Sequence, residues 1–203
     1  MLKNTLLIFF ILFIEDAVGQ DVSPLPRNPN TQLISISKVI ALNEGSNIKN
    51  KEKVDRFFQA YSEVSAESSL QKTSRVIEGK IVPIFLASKM LEEDSALSYD
   101  CLLQAYGAKQ SRAFGSVGPI TAFISFKISI YIKLDKIKYE CTNFVYSTAE
   151  NLAQGGKFEN DKPFTGGVKK WNIIRTDAVN QARLIVDFME TYLSKKNADQ
   201  FNF

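Results

Sequence analysis

Histidine is absent from all 203 residues. Without an imidazole the chain cannot run a Ser-His-Asp or Cys-His mechanism, and it cannot build a His-ligated zinc site. Cysteine is nearly absent too: Cys101 and Cys141 are the only two, too few for a Cys-rich zinc centre. Neither a metal nor a cofactor is expected. Adjacent acids such as Glu92-Glu93 and Glu159/Asp161 read as connection and loop charges, and no spacing sets two carboxylates across a cleft. The chain is therefore expected not to be an enzyme. No N-x-S/T sequon occurs, so N-glycosylation is not expected.

What is present suits a folded domain. Apolar residues make up 45% and charged residues 23%, which excludes collagen-like and wholly disordered chains. The length fits one domain with a short appendage. The start, MLKNTLLIFFILFIEDAVGQ, has Lys3, then an unbroken apolar run from Leu6 to Ile14, then Ala17-Val18-Gly19. This is the pattern of a secretory signal over residues 1–19. The run is far short of the ~20 residues a membrane span needs, so no membrane anchor is expected and the protein is expected to be secreted. Removing residues 1–19 leaves 24 basic and 20 acidic residues, a formal charge of +4. The lysines look scattered (Lys49, Lys51, Lys53; Lys169, Lys170; Lys195, Lys196), and nucleic acid is not an expected partner.

Export places the cysteines in an oxidising compartment. One intramolecular bridge could form, worth roughly 4 kcal/mol in the chain-entropy account. Two free thiols or an intermolecular bridge are the alternatives.

Along the chain, residues 20–31 form a proline-bearing exposed lead-in. Residues 32–43 are ambiguous between helix and strand. Val54, Phe57, Phe58, Tyr61 and Val64 fall at helical spacing, as do Leu70, Ile77, Ile81, Ile84, Ser88 and Leu91, with Pro83 kinking or breaking the second set. Leu97, Cys101, Ala105, Ala108 and Arg112 make a third helical face. In residues 119–134 an apolar residue recurs at every second position from Ile120 to Leu134, which is a strand signal. Yet fifteen residues would run about 50 Å as a strand, beyond ordinary strand length and with no comparable partner nearby, and Phe123, Ile130, Leu134 and Ile137 also make a helical face. Residues 155–167 are a glycine-bounded loop. Ile174, Ala178, Ala182, Ile185, Met189 and Tyr192 mark the clearest helix. Residues 195–203 are a tail.

Several of these stretches resemble the plant pectin methylesterase inhibitor and invertase inhibitor family. Ala96-Leu97-Ser98-Tyr99-Asp100-Cys101 with Tyr106 is similar to that family's helix start. The 40-residue spacing from Cys101 to Cys141 is similar to its bundle disulfide, and Cys141-Thr142-Asn143-Phe144 to its C-x-x-F. Asp161-Lys162-Pro163-Phe164 and the helix after Trp171 are similar in placement to its S-P-F loop and last helix. The family's N-terminal cysteine pair has no counterpart here.

The resemblance implies an all-α fold: an antiparallel four-helix bundle with an N-terminal helical extension, spanning residues 32–194. It implies a Cys101–Cys141 disulfide and tips residues 119–134 towards helix. It also implies an inhibitor of pectin methylesterase that acts by steric complex formation, with Lys162, Pro163 and Phe164 as contact residues. Inhibition of a cell-wall or vacuolar invertase is the first alternative. The second is a non-inhibitory helical protein binding an apolar ligand along its isoleucine segment. Either inhibitory reading has a protein partner and an extracellular, cell-wall location.

Overall fold

In the computed structural model, which describes residues 25–42, 47–62, 74–77, 79–105, 122–148, 151–160 and 167–194, the alternating segment is a strand. Ile124, Phe126, Ile128, Ile130 and Ile132 point to one side and are buried, while Tyr131 and Lys133 are exposed. The order of elements is β1 (Ile36–Ala41), α1 (Asn47–Tyr61), β2 (Ser74–Ile77), β3 (Lys80–Pro83), β4 (Phe85–Glu92), β5 (Ala96–Gln104), β6 (Ala122–Lys133), β7 (Lys136–Thr148), β8 (Asn151–Lys157) and α2 (Gly167–Ser194).

The expected four-helix bundle is therefore overturned by a six-stranded antiparallel sheet in the order β1-β7-β6-β5-β4, with β8 also paired to β7. The objection to a long strand was a lack of partners. β7 supplies one: it follows β6 after a two-residue turn, Leu134-Asp135, and pairs back along its length from Lys133↔Lys136 to Ala122↔Thr148. β5 closes the other side, so the amides and carbonyls of β6 are met on both edges.

Two other predicted helices are also strands. The stripe from Leu70 to Leu91 covers a separate β2–β3 hairpin and then β4. Pro83 ends β3 at the hairpin's open end, opposite Ser74, a place where its missing amide is tolerated. Leu97, Tyr99, Cys101 and Leu103 are the inward set of β5. The predicted helices at Val54–Tyr61 and Ile174–Tyr192 are present as parts of α1 and α2.

Both helices lie on one face of the sheet. Phe58 of α1 stacks on Tyr99 of β5 with ring centroids 3.7 Å apart. Phe57 of α1 meets Phe188 and Tyr192 of α2. Trp171 of α2 sits edge-on to Tyr146 of β7 and to Phe158, and Phe126, Phe144 and Phe158 stack in a file. Fully burying each such side chain contributes about 1.5–3 kcal/mol. These rings, with the β6 isoleucines, make one continuous core. The isoleucine segment packs into the core of a sheet and not along the inside of a helix bundle, so the apolar-carrier reading falls with the bundle.

The outer edge of β7 is divided. β1 pairs with its first half, Lys136 to Cys141, and β8 with its second, Val145 to Thr148. Between them β7 carries a bulge. Ser125↔Val145 is followed by Lys127↔Thr142, so β7 has one residue more than β6 there. Asn143 takes φ +58° at this point, a left-handed conformation that asparagine tolerates better than most residues. The extra residue resets the alternation. Ile137, Tyr139 and Cys141 point inward before it, and Phe144 and Tyr146 after it.

Candidate binding face

Because the sheet alternates, the side chains between the inward ones project from the face opposite α1 and α2. Among the described residues no helix packs on that face. Its register sets Val39, Lys138, Tyr131 and Ala96 side by side across four strands. Val39 is 55% exposed and Tyr131 45%. Lys138 holds its ammonium 5.8 Å from the Tyr131 ring centroid, within reach of a cation–π attraction. The next row towards the β6–β7 turn is the cross-strand pair Lys133↔Lys136. Like charges placed opposite one another destabilise a ladder, and neither lysine has a carboxylate within ion-pair distance among the described residues. Leu134, in the turn itself, is 65% exposed.

Acids stand beside these bases. Ser95 accepts a hydrogen bond from the Ile132 amide at 2.8 Å, which sets the β4–β5 connection next to the end of β6. Glu93 and Asp94 lie in that connection, exposed and, among the described residues, without an ion-pair partner. Leu91 of β4 pairs with Ser98 on this face and is 42% exposed. One end of the open face thus carries an unpaired basic patch on β6–β7, an unpaired acidic patch on β4–β5, and Tyr131 and Leu91 near them.

The other charged cluster is internally neutralised and holds α1 to the sheet. Lys51 bonds Glu92 at 3.0 Å, and Lys89 bonds Glu92 at 3.0 Å and Asp55 at 2.7 Å. The Tyr99 hydroxyl donates to Asp55. Bonds from Lys51 and then Lys89 hold the Glu92 carboxyl below its usual range. Partial burial would push the Lys89 ammonium down, but its bonds to Asp55 and Glu92 outweigh that and raise it. Burial, then the Asp55 hydrogen bond, pushes the Tyr99 phenol far up. Such alternating pairs fit a structural latch: each charge is answered and none is left to attack or transfer a proton. Among the described residues no group of three potential ligands could hold a metal ion.

The cysteines are not bridged. Cys101 and Cys141 are both free and buried. Cys101 stands on β5 opposite Phe126, and Cys141 on β7 opposite Ile128, with β6 between them. Two strand spacings are about 9.6 Å, beyond the ~7 Å limit for the Cα atoms of a disulfide. The expected disulfide is corrected accordingly. Burial pushes both thiols well up, so neither is a nucleophile at neutral pH. The expected contact residues Lys162, Pro163 and Phe164 lie outside the described residues, as do Tyr106 and the signal segment. Sequence reading missed the basic and acidic patches. Their signal was the period-2 pattern of β6 and β7 joined by a two-residue turn, which puts Tyr131, Lys133, Lys136 and Lys138 on one face.

No family model matches the chain, and no curated protein matches it. With the sheet, this overturns both the resemblance to pectin methylesterase and invertase inhibitors and the inhibitory function it implied. Two solved structures are similar to the chain. A DUF4468 family protein from Bacteroides ovatus ATCC 8483 shares 10% identity over 82% of this chain and 90% of its own, with a TM-score of 0.49. A TBP-like protein from Parabacteroides distasonis ATCC 8503 shares 9% identity over 84% and 98%, also with a TM-score of 0.49.

Proposed function

We propose that this chain is a secreted, non-catalytic binding protein whose helix-free sheet face docks a protein partner. The observation that carries the reading is the exposed row Val39, Lys138 and Tyr131 on the side of the sheet away from α1 and α2. Aromatic side chains framed by polar ones suit a protein interface, since a ring contributes large contact area at little conformational cost. The leader-like residues 1–19 support export. The neutralised Lys51–Glu92–Lys89–Asp55 chain and the buried thiols support a non-catalytic role. The test compares wild type with a Val39→Asp/Tyr131→Ala double variant of matching circular dichroism and Tm. A partner is identified from the extracellular fluid of the source cells, purified, and titrated against both by calorimetry. At least a tenfold weaker Kd for the variant is expected. Equal affinity would move the binding surface elsewhere on the molecule.

A further inference from the structure

Resting on that docking surface, of which it uses β4 to β7 and leaves Val39 of β1 outside the contact, we infer that its first partner is a second copy of this chain, joined face to face about a two-fold axis that runs along the strands between β5 and β6. The argument is one of charge complementarity. The basic patch, Lys133, Lys136 and Lys138, lies on β6–β7, to one side of that axis. The acidic patch, Glu93 and Asp94, lies on the β4–β5 connection, to the other side and at the same end of the strands. Rotation about such an axis exchanges the two sides without moving either patch along the strands. The lysines of each copy, Lys133, Lys136 and Lys138, then face Glu93 and Asp94 of its mate, and the one acid carried across with them is Asp135 of the β6–β7 turn. Tyr131 of one copy comes over the β5 strand of the other at Ala96, a small side chain on this face. Leu91 comes over β7 at Glu140, whose row it shares through Ser98 and Ser129, a carboxylate that already accepts from Asn28 and Ser35. An isologous contact of this kind is self-complementary by construction.

Other occupants answer only half of the pattern. An anionic surface or polymer drawn by the lysines meets Glu93 and Asp94 at the same end, and like charges brought together cost affinity. A cationic partner meets the converse. The area is adequate. Four strands at ~4.8 Å spacing by eight residues at ~3.4 Å give a planar footprint of roughly 500 Å², before side-chain relief is added. That is about 1,000 Å² for the two copies together, the low end for a specific interface.

Sedimentation equilibrium of the purified chain tests this. Wild type is expected to dimerise, and more weakly at high salt, because facing surface charges are screened. Two charge-swapped variants separate this dimer from any other: Lys133→Glu/Lys136→Glu, and Glu93→Lys/Asp94→Lys. Each alone sets like charge against like and is expected to self-associate at least tenfold more weakly. An equimolar mixture of the two restores opposite charges across the contact and is expected to recover a mixed dimer, which also shows that both variants are folded. A wild type that stays monomeric overturns the homodimer, and leaves the docking face to be judged by the foreign-partner titration. A dimer that neither swap weakens, or a mixture that fails to associate, overturns it as well.

Discussion

Asp177 carries its carboxyl on α2, half-buried, accepting a hydrogen bond from Gln181 at 2.5 Å. Burial raises its pKa, and the Gln181 bond only partly opposes this. A carboxyl whose folded pKa is raised favours the folded state below its unfolded pKa, and that contribution is lost as pH rises through the folded value. At pH 7 the charge therefore costs stability. Asp177→Asn keeps an acceptor for Gln181 and is expected to raise Tm by about 1–3 °C at pH 7, the scale of under 1 kcal/mol at this chain length. At pH 3, where Asp177 is already neutral, thermal scans should show no gain. The two thiols give a second test. Native protein should resist a maleimide at pH 8, since both cysteines are buried. Denatured protein, with no reductant added, should take up two labels by intact mass. A disulfide would leave it unlabelled, so one measurement separates the observed thiols from the pairing the resemblance implied.

At the scale of elements, the bulge in β7 makes Asn143 a position where conformation outweighs contact. Asn143→Gly is expected to be neutral within about 0.5 kcal/mol, because glycine also accepts a positive φ. Asn143→Val is expected to cost about 1–2 kcal/mol, read from the urea midpoint. The same strands show which parts of the fold were legible in the sequence. α1 and α2 were, because apolar steps of three and four distinguish a helix from a strand. β5 was not, because its decisive positions Leu97, Cys101 and Ala105 are four apart, and residues four apart share a face in either structure. In β2–β4 the supposed stripe mixed opposite environments: Ile81 is 63% exposed while Ile84 is buried. β6 announced itself by period and was discounted for want of a partner. Its partner β7 hid its own period behind the bulge, where the inward set shifts from odd to even numbers. The binding face was illegible for a related reason. Lys133, Lys136 and Lys138 read as three more scattered lysines until the hairpin register puts them beside Tyr131, and nothing local reveals that Glu93 and Asp94 end up next to them.

At the scale of the whole molecule, the sheet depends on pairing distant segments. Ile36 pairs with Cys141 and Ala41 with Lys136, separations of about 100 residues that carry a large loop-closure cost before any contact forms. A fragment ending at Lys133 keeps β1 and β6 and removes the strand that joins them. It is expected to show no cooperative thermal transition by circular dichroism. The full chain should melt in one step, and β1 amides should exchange with solvent sooner than those of β6, which is paired on both edges. Synthesis proceeds in the opposite sense to this dependence. Residues Ile36 to Ala41 leave the ribosome first, and their only strand partner among the described residues is made about 100 residues later, a wait of roughly 5–20 s at ordinary elongation rates. During that wait ISKVIA is an apolar, β-branched segment with an open edge. It is the stretch a chaperone or translocation factor would have to cover, and the place where a stalled chain would begin to aggregate.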